Sequence, residues 1–289
     1  MGKLVALLLS MTSLHVFAFH AQIGSYNKVP HHKVYQQTLN PHLDTLILNT
    51  VMIINESGRS PSRGTGFYIG KHNDNHIFVT NAHVMGRKDC HKSKVTFLTH
   101  NLSERRVECE KILFSKFKND KLDITVFTIK ARNLSSMAGV GLDVNWNFKP
   151  VPAMKLAQAG FGIKRLRRGR TGQNQITEYK MNLNFDSDCV VVSEKDKLYN
   201  LSNMKTSFTF FTGCDVVGGD SGSAVIDRES GEVVGLAWGS GDTKGSLSSE
   251  ALWGELIGTK DPKLLSYSSF AISMKSVKKY FKEIGVSID

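Results

Sequence analysis

Short segments rich in Val, Ile, Phe and Thr, each ended by Gly, Asn, Asp or Ser, follow one another through most of the chain. Residues 45–55, 66–69, 76–80, 94–98, 124–129, 154–159, 189–193, 224–227 and 233–238 are the clearest. Their β-branched and aromatic side chains suit a pleated, half-buried surface, which is how an all-β chain reads. The period changes only near the end. From Ser273, the apolar residues Val277, Tyr280, Phe281 and Ile284 recur at three- and four-residue spacing, with Ser273 as N-cap and Gly285 as stop. The pattern predicts an all-β chain closed by one C-terminal helix. Between 132 and 152 it lapses into Ser, Gly, Asn and Pro, which predicts a crossing between two halves. No fixed-period repeat is visible, and strand pattern alone does not separate a sandwich from two barrels.

The first residues stand outside this scheme. Lys3 precedes an uncharged, mainly apolar run to Phe19 that is too short to span a bilayer comfortably and lacks the amphipathic stripe of a buried helix. Residues 1–18 read as a signal peptide, with small residues placing the cut after Ala18 and the mature chain starting at Phe19. Export implies an oxidising compartment, secreted or periplasmic, for Cys90, Cys109, Cys189 and Cys214. Four cysteines allow three pairings, and Cys90 with Cys109 and Cys189 with Cys214 keeps each bridge within one half of the chain. No C-x-x-C spacing suggests a metal. Loss of Lys3 lowers the formal net charge by one from +11, still strongly basic. The densest cluster, Lys164, Arg165, Arg167, Arg168 and Arg170, has no aromatic residues interleaved for base stacking and reads as a solvated loop, so no nucleic-acid partner is expected.

Three strings carry the chemistry: GTGFYIG followed by FVTNAHV, then KLDITVF, then GCDVVGGDSGSAVID. A lone histidine at a strand end is more often structural, and an Asp before an apolar run is usually a turn residue. In this order and spacing, with His83 and Asp123 in the first half and Ser221 in the second, the strings resemble the trypsin-like serine protease superfamily. The resemblance implies two six-stranded antiparallel β-barrels with a C-terminal α-helix. It divides the chain into 1–18, 19–145 with the first barrel, and 146–289 with the second barrel and helix.

A serine hydroxyl is a poor nucleophile until a neighbouring base takes its proton. The resemblance gives that part to His83, with Asp123 holding the imidazole in its working tautomer. The N–H groups of Gly219 and Ser221 would receive the tetrahedral oxyanion, a donor pair whose members are each worth about 100- to 1000-fold in rate. An α/β-hydrolase elbow is excluded, since G-x-S-x-G needs Gly where Ser223 stands.

The likeness extends to Gly160-Phe161-Gly162, similar to the element opening the second barrel, and to GLAWGSG at 235–241, similar to the strand lining the substrate cleft. It implies backbone hydrogen bonds from Ala237 and Gly239 to an extended substrate, with Trp238 as one wall. Asp215, six residues before Ser221, stands where these enzymes place the base of the primary pocket, implying Arg or Lys selection or a structural carboxylate. Val84, Val217 and Ser223 depart from the digestive members, and GDSGS is closer in form to bacterial secreted glutamyl-endopeptidase-like enzymes.

In zymogen-type relatives the residue matching Asp220 pairs with a freed N-terminal ammonium. No Arg-Ile-Val-Gly-Gly cut site is present here, and Ile23-Gly24 after Gln22 is a faint echo of one. The other reading has Asp220 satisfying nearby backbone donors. Overall the expectation is a secreted, monomeric serine endopeptidase acting on proteins or peptides, with no cofactor and no membrane anchor after signal cleavage. Its rival is a catalytically silent binding protein on the same fold.

Overall fold

The structure is a computed structural model describing residues 28–286 apart from 59–60, 74, 99–103, 118–121, 130–133, 135–138, 163–180, 202–203 and 242–253. The expected signal segment, Ile23-Gly24 and the basic cluster at 164–170 lie outside the described residues.

The described chain begins with β1 (Val29–Pro30), a 3-10 turn (His31–Gln36) and α1 (Pro41–Asn49). Residues 45–49 therefore belong to a helix, not to the strand expected at 45–55. Local chemistry explains the difference: Asn40 accepts from His42 N–H at 2.9 Å, Pro41 opens the first turn, and Leu43, Leu46 and Ile47 bury one helical face. The β-branched residues of 45–55 masked that stripe.

Six strands follow: β2 (Thr50–Asn55), β3 (Ser62–His72), β4 (Asn75–Thr80), β5 (Ser93–Leu98), β6 (Glu104–Phe117) and β7 (Asp123–Ile129). They close an antiparallel barrel in the order β2-β3-β4-β7-β6-β5. His72 pairs with Asn75 where β3 turns back into β4, and Asn73 takes a positive φ in that turn. Phe78 fills the barrel interior, its ring 5.0 Å from Tyr68, 5.8 Å from Phe97 and 5.6 Å from Phe127. Val51 and Ile53 join this interior, whereas Met52 and Ile54 belong to the core shared with α1 and the second half. Burial on both faces is why β2 reads as an unbroken apolar run.

The second half is built from β8 (Leu156–Gly160), β9 (Asn182–Asn184), β10 (Val191–Leu201), β11 (Met204–Thr212), β12 (Ala224–Asp227), β13 (Val233–Ser240) and β14 (Ser269–Ser273). With β1 they make one curled, half-barrel sheet ordered β1-β9-β8-β12-β13-β14-β11-β10. The fold is the expected chymotrypsin-like arrangement, with the second sheet curled but open among the described residues. β1 reaches it from the N-terminal side, Val29 pairing with Leu183 and Pro30 with Asn182.

A short α2 (Pro262–Leu265) and the closing α3 (Met274–Glu283) complete the molecule. As the spacing predicts, α3 buries Val277 and Phe281, and Gly285 ends it at φ +76°. Ser273 stands at the N-cap position, but its side chain makes no capping bond.

Both disulfides take the neighbour pairing, Cys90–Cys109 and Cys189–Cys214. Among the described residues no helix is long and apolar enough to cross a membrane.

Candidate active site

Antiparallel register brings the first two predicted residues together. Thr80 at the end of β4 pairs with Thr125, so the chain leaving β4 passes the first residue of β7, Asp123. His83 N–H donates to Asp123 Oδ1 at 2.9 Å, and His83 Nδ1 lies 2.5 Å from Asp123 Oδ2. Two further bonds hold the segment: Asn81 Nδ2 donates to the Asp123 carbonyl at 2.7 Å, and Thr125 Oγ1 donates to the Met85 carbonyl at 2.8 Å. Asp123 is 1% exposed and the His83 ring 24%. Burial alone lowers the imidazole pKa, but the Asp123 charge and its hydrogen bond outweigh burial, so the net direction is upward. The carboxylate fixes Nδ1 and leaves Nε2 for other chemistry.

Ser221 comes from the other half, on the loop between β11 and β12. Gly219 and Gly222 take φ +98° and +91°, values L side chains rarely adopt. A Cβ on Gly222 would collide with the Thr65 carbonyl and Thr80 Oγ1, so only glycine lets the loop lie this close to the first barrel.

Thr65 ties the two halves together at this point. Its N–H donates to the Ser221 carbonyl at 2.9 Å, its hydroxyl donates to the Gly219 carbonyl at 2.7 Å, and the same hydroxyl accepts from Phe161 N–H at 3.0 Å. Its carbonyl accepts from Thr80 Oγ1 at 2.6 Å. The serine loop is thus hydrogen-bonded to β3, whose neighbour β4 leads into His83. Among the described residues no hydrogen bond engages the N–H of Gly219 or Ser221, nor joins Ser221 to His83.

Behind the serine, Asp220 is fully buried. It pairs with Lys28 Nζ and accepts from Val217 N–H at 2.9 Å. The backbone donor was one sequence reading; Lys28 was not foreseen, because nothing in its polar surroundings marks it.

The remaining predicted residues line the same half. Asp215 is 2% exposed, follows Cys214 of a disulfide, and donates its N–H to Asn184 Oδ1 at 3.1 Å. Ala237 N–H donates to the Ser223 carbonyl at 2.8 Å, and the Ala237 carbonyl accepts from Gly222 N–H at 2.9 Å. The N–H expected to face a substrate is therefore committed within the protein, leaving the carbonyl's second lone pair. Trp238 is 5% exposed and packs against Phe270 at 5.4 Å, while Gly239 pairs with Phe270 in the β13–β14 register.

The trypsin-like peptidase domain profile matches residues 64–236, more than half of the chain. The fold is similar to that of the Rv3671c protease from M. tuberculosis in its active form, at 15% identity and TM-score 0.52, covering 90% of this chain and 89% of that one. It is similar to Deg5 at 15% identity and TM-score 0.50, covering 86% of this chain and 95% of that one. The scabies mite inactivated protease paralogue S-D1 shares it at 11% identity and TM-score 0.55, covering 91% and 96%. No curated protein matches the chain in sequence.

Proposed function

Because the chain belongs to the trypsin-like peptidase family, within the chymotrypsin-fold serine proteases, we propose that it is a serine endopeptidase working through Ser221, His83 and Asp123. The observation that carries this reading is the His83–Asp123 contact at 2.5 Å, built at the seam where Thr65 clamps the serine loop to the first barrel. A carboxylate on Nδ1 leaves Nε2 as the proton acceptor. His83 takes the Ser221 hydroxyl proton as the oxygen attacks the scissile carbonyl carbon. The oxyanion is received by the N–H groups of Gly219 and Ser221, whose donors are uncommitted among the described residues. His83 then gives its proton to the leaving amine, and water repeats the sequence on the acyl-enzyme.

The functional units are 19–145 and 146–289, with 1–18 removed on export. The two disulfides favour a secreted or periplasmic location, where such bonds persist. The substrate lies along β13 beside Ala237, Trp238 and Gly239, and the active unit is the monomer. Preference for Arg or Lys rests on the position and buried carboxylate of Asp215; the pocket must reach that carboxylate for the preference to act.

Reaction of the purified protein with a fluorophosphonate probe, beside Ser221→Ala and His83→Ala, tests the nucleophile. Labelling lost in both variants supports the proposal. A folded wild-type protein that takes no label points to the silent binding protein instead. Cleavage of a peptide library then reads Asp215: no enrichment for Arg or Lys before the cut bonds assigns it to structure.

A further inference from the structure

The buried carboxylate of Asp220 adjoins the proposed nucleophile, and what neutralises it governs the shape of the loop. Its side chain is fully buried and that of Lys28 is 3% exposed, so the pair is shut off from water. Asp220 Oδ2 takes both the Lys28 ammonium and Val217 N–H, while Oδ1 finds no donor among the described residues. Gly160 and Gly162 press on the same carboxylate, where a Cβ on Gly162 would come within 2.7 Å of Oδ1. Asp220 is also bonded to its own loop: its N–H donates to the Val217 carbonyl at 3.0 Å, and its carbonyl accepts from Ser223 N–H and Oγ at 2.9 and 2.5 Å. Moving the carboxylate therefore moves the backbone on both sides of Ser221.

Lys28 is delivered from far away in sequence. It immediately precedes β1, whose pairing with β9, continued by His31 N–H to the Met181 carbonyl at 3.2 Å, fixes the chain against the second sheet. A buried carboxylate without its cation carries a large desolvation cost, which the loop would relieve by turning Asp220 outward. We infer that Lys28 is a positioning residue for the oxyanion loop: its side-chain ammonium holds Asp220 in the working arrangement. Beyond the removal of 1–18, the chain therefore needs no activating cleavage whose new N-terminal ammonium would take the place of Lys28 on Asp220. This inference rests on the proposed nucleophilic role of Ser221.

The test uses the chain beginning at Phe19, with its α-amino group free or acetylated, and the variants Lys28→Met and Lys28→Arg. Fluorophosphonate labelling rate and unfolding temperature are both recorded. The two wild-type forms should label equally fast. Lys28→Met should label about 100-fold more slowly, the scale of a lost oxyanion donor, while still unfolding cooperatively, and Lys28→Arg should recover much of the rate. Labelling of Lys28→Met at the wild-type rate, or loss of labelling on acetylation, overturns the inference. Should Lys28→Met not fold, Lys28→Gln, which keeps a polar donor but no charge opposite the Asp220 carboxylate, replaces it, and labelling of that variant at the wild-type rate overturns the inference equally. If the folded wild type takes no label, the Ser221 reading has failed separately. The ion pair is then judged by a thermal double-mutant cycle over Lys28→Met and Asp220→Asn, in which independent effects overturn the assigned pairing and coupled effects support it.

Discussion

At the scale of single residues, the His83–Asp123 pair sets the clearest expectation. Asp123→Asn keeps the shape of the side chain but reverses the hydrogen-bonding preference at Nδ1, and should lower kcat by about 10⁴-fold. An unchanged kcat on a peptide substrate would remove Asp123 from the mechanism. The imidazole pKa lies above the ordinary 6.5, as the Asp123 charge and hydrogen bond outweigh burial. In the proposed mechanism the working base is neutral, so kcat/KM should rise with pH through an apparent pKa above the ordinary value, and Asp123→Asn should move that limb downward. The stability sign is opposite. Protonated His83 is favoured by the fold, a contribution fully present below the unfolded pKa and lost as pH rises through the folded one. Both follow from kcat/KM profiles and unfolding temperatures measured across the same pH range. The resemblance of the three strings singled out both residues in the sequence, and the structure brings them into contact.

At the scale of elements, the serine loop and the closing helix make contrasting predictions. Thr65→Val keeps the volume on β3 but leaves the buried Phe161 N–H and the Gly219 carbonyl without their partner. Stability should fall by about 1–3 kcal/mol, with kcat lowered more than KM is raised because the loop loses its anchor. Equal kcat in wild type and variant would show that the loop keeps its own shape. Ser273 behaves otherwise. Its hydroxyl is buried without a partner among the described residues, so Ser273→Ala should leave the unfolding temperature unchanged or higher. A drop equivalent to about 1 kcal/mol, the usual result of deleting a capping side chain, would show a bond forming in solution. α3 was legible from its apolar period, but the cap was not. Ser273 also ends β14, and strand burial, not helix capping, decides where its side chain goes.

At the scale of the whole molecule, each disulfide closes a loop within its own half, spanning 19 and 25 residues. Replacing Cys189 and Cys214 together by Ala should cost about 2–5 kcal/mol and loosen the segment that carries Asp215. Thermal unfolding of the variant beside the wild type measures this, and an unchanged midpoint would mean that the bridge adds nothing to the fold. By itself, the sequence determined the all-β class and the closing helix, because strand period and helix period are written in neighbouring residues, and the family resemblance of its three strings is what names the triad proposed above. It misassigned residues 45–49, where local capping and a buried helical face outweigh β propensity. Only the tertiary structure decided what lies 192 residues from Asp220 in sequence and against it in space, the Lys28 ammonium, and that Thr65 joins the halves. A buried charge takes whichever cation the packing delivers, and strand pairing across distant sequence, here β1 on β9, leaves no local pattern from which that partner can be read.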